Sequence, residues 1–267
     1  MGRNAIIIRP NRLLGAVTLL AALLGPTISW AAHPLITDDS VTQGKGKFQL
    51  EESGQYDSDR ETVNGVSVKT SGGQAVTTLT YGIFDNTDIV LSVPYLWTTV
   101  KEDGVKTSDV MGISDTLFEI KWRFFEKDGL SFAVKPGVSY PTGNEDEGLG
   151  TGKTGYHMFF IGSREAVPWA FYVNLGYIQN ENNTDEATDL WHVSLAVTYE
   201  IVKDFKLVGN IGMDKNPDKA AENDPFFFIA GAIYSFGENF DIDAGVKYGL
   251  TSSETDYSVL AGTTFRF

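Results

Sequence analysis

Cysteine is missing altogether from this chain of 267 residues. Its absence removes disulfide scaffolds, thiolate zinc sites and cysteine nucleophiles together. Histidine is nearly as scarce, with only His33, His157 and His192, too few for a histidine-rich metal centre. No metal and no cofactor is therefore expected. Basic residues are outnumbered, 21 Lys and Arg against 35 Asp and Glu, a formal charge of −14. That balance opposes a nucleic-acid partner, because phosphate binding needs a basic surface. Past the N-terminus no apolar run approaches the ~20 residues of a membrane-spanning helix, so a helical membrane bundle is excluded. Aromatic residues (12%) and 28 glycines are plentiful instead, and they recur too regularly for a disordered chain.

Residues 1–31 read as a signal peptide. Arg3, Arg9 and Arg12 make a basic head, Leu13 to Gly25 is an apolar run, and Pro26 breaks it. Ser29 and Ala31 then place small residues at the −3 and −1 positions of a cleavage site. Losing three arginines takes the formal charge from −14 to −17, that of an acidic exported protein. Residues 32–46, with Pro34 and Asp38-Asp39, precede the first strand as a periplasmic segment. Either it tucks into the mouth of the domain as a partial plug or it hangs free.

From 47 to 267 the dominant pattern is alternation with period two, punctuated by Gly, Asn, Asp and Pro. Segments 130–140, 190–201, 240–250 and 257–267 alternate cleanly; Trp191, Val193, Leu195, Val197, Tyr199 and Ile201, for example, share one face. Eight further segments complete twelve strands: 47–57, 74–84, 87–98, 114–125, 155–163, 168–179, 204–214 and 225–236. Their connections alternate in length. Long polar ones are expected at 58–73, 99–113, 141–154, 180–189, 215–224 and 251–256, and tight ones at 85–86, 126–129, 164–168, 203–204 and 237–239. Outer-membrane barrels show this asymmetry, short periplasmic turns and long external loops, with an even strand number. The expected fold is all-β, a closed antiparallel transmembrane β-barrel of about 12 strands over 47–267, following the cleaved signal peptide.

Period two does not say which face is wet, since a soluble barrel buries its apolar side and a membrane barrel shows it to lipid. Three features choose the second. The non-apolar faces are rich in Gly, Ser and Thr with scattered charges. Aromatics also pair eight residues apart near strand ends: Phe132/Tyr140, Trp169/Tyr177, Trp191/Tyr199, Phe240/Tyr248 and Tyr257/Phe265, with Phe48/Tyr56 and Phe226/Tyr234 besides. Eight residues of tilted strand climb ~20 Å, close to the ~25 Å apolar band between aromatic girdles. Finally the chain stops at Phe267 in strand register, resembling the terminal signal that the barrel-assembly machinery reads.

Further residues carry a family resemblance. His33-Pro34-Leu35-Ile36-Thr37-Asp38-Asp39, then Gly44-Lys45-Gly46-Lys47-Phe48-Gln49-Leu50-Glu51, then Tyr140-Pro141-Thr142-Gly143 leading into Gly148-Leu149-Gly150-Thr151-Gly152, resemble the outer-membrane transporter family named for the meta pathway of phenol degradation. The resemblance spans the mature chain and implies an outer-membrane barrel that passes small molecules. It offers no catalytic set, and no residue here displays the phenol link.

Two motifs are set aside. Gly148 to Thr154 looks like a phosphate loop, but its first required glycine falls at Glu147 and no helix follows. His192 and Ser194 have the spacing of a base and its nucleophile on one face, yet no orienting Asp or Asn is evident in the sequence. Inward charges are more informative: Glu119, Lys121, Arg123, Lys135, Glu200, Lys206, Asp241, Asp243, Lys247 and Arg266. They either neutralise one another across a narrow lumen or form a mixed-charge constriction that selects solutes. External loops are acidic at Glu145-Asp146-Glu147, Glu181 to Asp189, and Glu254 with Asp256.

The expectation is a channel or transporter in a Gram-negative outer membrane, not an enzyme, passing small solutes with hydrophobic or aromatic compounds among the candidates. Its partners would be outer-membrane lipid, lipopolysaccharide, the assembly machinery and the solute. The rival readings are a structural or surface-interaction barrel with a closed lumen and, third, a lipid-active enzyme.

Overall fold

The computed structural model describes residues 33–63 and 65–267; the signal-peptide reading of 1–31 lies outside the described residues. Thirteen strands follow one another: β1 (Phe48–Val63), β2 (Val66–Phe84), β3 (Thr87–Glu102), β4 (Val105–Ile113), β5 (Thr116–Lys127), β6 (Leu130–Tyr140), β7 (Gly155–Ala166), β8 (Trp169–Gln179), β9 (Asp189–Val202), β10 (Phe205–Asp214), β11 (Phe226–Phe236), β12 (Phe240–Gly249) and β13 (Tyr257–Arg266). The strands pair antiparallel, β13 returns to β1, a β2–β3 ladder closes the ring, and β4 alone has a single partner, β3. Closure pairs the ring on both sides, as strands facing lipid require. β4 pairs with the upper half of β3 (Tyr95 to Glu102) and β5 with its lower half (Thr87 to Ser92). The two are therefore one wall strand interrupted at Ser114-Asp115, and the barrel is a closed twelve-stranded one.

Two of the expected loops are strand. Residues 58–73 form the continuous upper ends of β1 and β2, paired up to Val63↔Val66, and 99–113 holds the β3–β4 hairpin. Polar composition argued for loops, but alternation runs on through Val66, Val68 and Thr70, and Val100 is buried. The decisive local signals are Asn64-Gly65 and Asp103-Gly104, dipeptides that favour two-residue hairpin turns. Gly65, Asp103 and Gly104 do take positive φ (83°, 46° and 83°).

The wall break organises the long-loop end. Asp115 accepts hydrogen bonds from the Gly143 and Thr151 backbones (3.0 and 2.9 Å), tying the 141–154 loop down over the lumen. Leu149 of that loop is buried, seated where a Cβ on Gly112 would lie. A side chain at 112 would push the Leu149 terminal methyl aside.

The outer face is greasy. Trp122, Phe124, Phe160, Phe171, Leu195, Ile211 and Val259 stand exposed on it, as no soluble protein would tolerate over so large an area. Aromatic rings crowd its short-turn end, where Phe48 stacks on Tyr81 (4.5 Å between centroids), Phe240 on Phe265 (4.5 Å) and Trp169 against Tyr199 (4.4 Å). Tyr140, Tyr177, Tyr248 and Tyr257 are exposed towards the other end, and Phe267 is exposed at the chain terminus. Phe132 belongs to a short-turn cluster with Phe124, Phe125 and Phe160, widened by a bulge between Arg123 and Phe125. Between the two aromatic bands this face carries one charge among the described residues, Glu52, whose Oε2 accepts from Thr77 Oγ1 at 2.8 Å.

The inner face is polar, with three small apolar clusters built around Leu35, Phe159 and Phe227. Leu35 is not a strand residue. It belongs to the segment before β1, which lies inside the barrel.

Candidate functional site in the lumen

Residues 33–46 run along the inside of the wall, crossing the strands in sequence. The His33 imidazole meets the Asp243 carboxylate on β12, and Pro34 lies against Gly231 and Gly245 of β11 and β12. Leu35 packs on Ala196 and Val208 of β9 and β10. Further on, Ser40 meets Ser163 of β7 and Ser131 of β6, and Gln43 meets Asp88 of β3.

Wall side chains grip the backbone of this segment as a neighbouring strand would. Asn210 Oδ1 accepts from the Ile36 and Thr37 N–H groups (2.7 and 3.2 Å). Asn174 accepts from Asp38 N (2.7 Å) and donates to Asp38 O (2.8 Å). Ser163 Oγ takes Ser40 N at 2.9 Å, and Asp88 takes Gln43 N at 3.0 Å. A peptide inside a barrel has no ladder of its own, so these side chains satisfy backbone groups that would otherwise be buried unpaired.

One ionic cluster pins the centre of the segment. Asp38 sits between Lys121 Nζ (3.1 Å) and Lys135 Nζ (2.8 Å), and Lys121 also reaches Asp39 at 3.5 Å. Lys135 lies 3.7 Å from Glu119, which in turn holds the His157 Nε2 at 2.8 Å. Burial alone pushes the Asp38 carboxyl up, but the two ammoniums beside it outweigh burial and hold it below the ordinary carboxylate range. Two cations flanking one anion, with a second anion behind, give the near-neutral balance that buried charge requires.

The sequence-derived inward charges fall into three groups. Glu119, Lys121 and Lys135 converge on Asp38 as described. Asp243, Lys247, Asp241 and Arg266 pair locally: Lys247 with Glu254 (2.9 Å) and Arg266 with Asp241 (2.7 Å), while Asp243 holds His33. The third group sits at the short-turn rim. Arg123 bonds Glu126 at 3.2 Å, Lys206 lines the lower lumen, and Glu200 accepts from the Asp204 backbone at 3.2 Å. Glu200 lines neither lumen chamber, because it lies too near the 203–204 turn and caps it instead.

The His192–Ser194 pair acquires a partner that sequence spacing could not supply. Asp214, on neighbouring β10, accepts from His192 Nδ1 (2.6 Å), and His192 Nε2 lies 2.8 Å from Ser194 Oγ. That is the geometry of a hydrolytic triad. Thr37 Oγ1, however, donates to Ser194 Oγ at 2.7 Å, Ser194 is 1% exposed, and neither residue of the pair lines a chamber. In this arrangement the network holds the segment. The Gly148–Thr154 run leads into a strand, without the helix a phosphate loop needs.

Two chambers occupy the rest of the lumen. The one at the long-loop end holds about 840 Å³, with a floor that includes Leu96, Leu117, Ile178 and Leu190 and an acidic rim at Glu145, Asp146, Glu147, Asp185 and Glu186. The other, at the short-turn end, holds about 460 Å³ and has the segment as part of its wall. Their linings share only Gln55, Gln74 and Val76. Neither glutamine, nor Asn174 or Asn210, stood out in the sequence. The available signal was an amide of low strand propensity at an inward register position.

Solved structures share this architecture. The COG4313 outer membrane channel from Pseudomonas putida F1 superposes with a TM-score of 0.67 at 13% identity, over 86% of this chain and 98% of that one. The KdgM porin gives 0.56 at 8% identity (82% and 99% covered), and the Ralstonia pickettii toluene transporter TbuX 0.51 at 10% (84% and 89%). At such identities the likeness carries the fold, that of an outer-membrane barrel. No curated protein matches the chain in sequence. The family described as "Putative MetA-pathway of phenol degradation" matches residues 34–267, from the lumenal segment to the last phenylalanine, and the chain belongs to that family.

Proposed function

We propose that this protein is an outer-membrane channel or transporter for small solutes, with residues 33–46 docked in its lumen as a partial plug. The observation that carries the reading is a pair of chambers stacked along the axis of a closed barrel whose outside is apolar. Eight strands leave an interior filled by side chains, and sixteen or more leave an open aqueous pore. Twelve leave room that this chain fills in part with its own peptide.

Short turns and both termini of the described chain share one end, which in outer-membrane barrels is the periplasmic one. The acidic rim then faces outwards, towards lipopolysaccharide, and Phe267 is available to the assembly machinery. Relatives in fold include a channel, a porin and a toluene transporter, which supports passage of small molecules. The apolar floor beneath a polar rim suits small hydrophobic or aromatic compounds as solutes. A closed structural barrel is the second reading, favoured by how thoroughly the segment is hydrogen-bonded.

Planar-bilayer recording separates the two. Discrete steps are expected from the mature chain, rising several-fold in a variant lacking 34–43. Silence from both, in folded barrels, would reject transport.

A further inference from the structure

The segment does not cover the inner wall evenly. Its hydrogen bonds and ion pairs reach β12, β10, β9, β8, β7, β6, β5 and β3 in turn. Among the described residues, 33–43 form none with β1 or β13. Against β13 the segment makes packing contacts, with His33 beside Gly262 and Ile36 on the cluster that holds Leu260. The two chambers meet where it leaves the wall bare, at β1 and β2. Gln55 of β1 and Gln74 of β2 stand opposite each other in register, and with Val76 they are the lining the chambers share.

From this we infer that solutes pass along the β1–β2 wall, and that the amides of Gln55 and Gln74 are the specificity-determining neck, favouring solutes that carry hydroxyl or amide groups over anions. The inference rests on the channel reading and adds to it a path and a chemistry. A primary amide offers two donors and an acceptor without net charge. Two of them facing across adjacent strands can replace water around a hydroxyl, as filter ligands replace hydration. An anion gains no counter-charge at the neck. Carboxylates stand on either side, Asp57 in the upper chamber and Glu51 in the lower, so anions are the worst-served class. Asp57 also orients the neck, since its Oδ1 accepts from Gln55 Nε2 at 2.6 Å.

The absence of cysteine makes the test clean. Single variants Gln55→Cys and Gln74→Cys of the mature chain, in planar bilayers, are treated with a cationic methanethiosulfonate reagent, and modification is confirmed by mass. Conductance is expected to fall by at least about half, while modified Ser139→Cys, which lines the upper chamber on β6, falls less. Conducting channels that ignore full modification at both glutamine positions would overturn the path and leave the channel reading standing. A wild type without conductance would instead remove the channel reading, and the path with it. The chemistry is read separately with Gln55→Leu/Gln74→Leu, which keeps side-chain bulk and removes donors and acceptors. Swelling of liposomes in arabinose is expected to slow several-fold; an unchanged rate would overturn the amide role.

Discussion

The two sides of this barrel's inner wall solve the same problem in different ways. From β5 round to β12 the inward side chains are engaged by a peptide, so asparagines, serines and lysines there are satisfied by backbone amides and by Asp38. On β1 and β2 the inward residues bond one another or their neighbours on β13, or line a chamber: Arg266 holds Gln49 and Asp241, and Gln55 holds Asp57. Polar residues on an inward face thus carry two meanings. Where they grip a backbone they are structural, and where they line a chamber they stand within reach of a solute. Charge alone does not separate the cases, since Lys121 and Arg266 are equally cationic.

The contrast breaks most sharply at Asp38. Asp38→Asn leaves Lys121 and Lys135 facing each other with only Asp39 and Glu119 to offset them. Removing one member of a buried ionic group costs about 3–5 kcal/mol, enough to weaken the docking of a segment held otherwise by side-chain hydrogen bonds, the His33–Asp243 contact and Lys121–Asp39. Conductance is expected to rise towards that of the variant lacking 34–43, and protease access to the segment to rise with it. The same substitution at Asp57, on the bare side, should leave the segment docked. Equal release by both would erase the distinction between the walls.

Much of this architecture is legible in the residues. Alternation in 190–201 and 257–267, aromatics eight apart and the length asymmetry of the connections together give a closed barrel with its greasy side out. The turn dipeptides Asn64-Gly65 and Asp103-Gly104 stand in the sequence, but their polar flanks made both regions read as loops. What could not be read is the lumen. Thr37 touches Ser194 and Asp38 touches Lys135 across separations of 157 and 97 residues, so no local pattern records either contact. Asp214 completes the His192 network for the same reason, through register between β9 and β10. Inward charges could be listed from sequence, but which of them meet was settled by where an irregular peptide lies.

Acidity tests the same latch more gently. A carboxyl held below its ordinary range in the docked state stabilises docking at pH values above that range. The contribution is lost as pH falls through the depressed value. Docking should therefore be constant from pH 7 to about 4, the ordinary aspartate value, and weaken only below it. Conductance across that range is the measurement. A rise already near pH 6 would mean that Asp38 is not the latch.

The smallest expected effect lies on the other surface of the bare wall. Glu52 points outwards from β1, between Phe48 and Tyr56, with Thr77 as its partner in register on β2 and Thr263 on β13. A carboxylate facing hydrocarbon is unfavourable, though less so than a lysine or arginine, whose cost reaches ~2–4 kcal/mol at mid-membrane. Glu52→Leu should stabilise the barrel by about 1 kcal/mol in lipid, measured by urea unfolding in vesicles, with conductance unchanged because the side chain is outside the lumen. A loss of conductance would mean that the β1–β2 wall communicates between its two faces, and the separation of an apolar outside from a conducting inside would fail at the strand where the path is drawn.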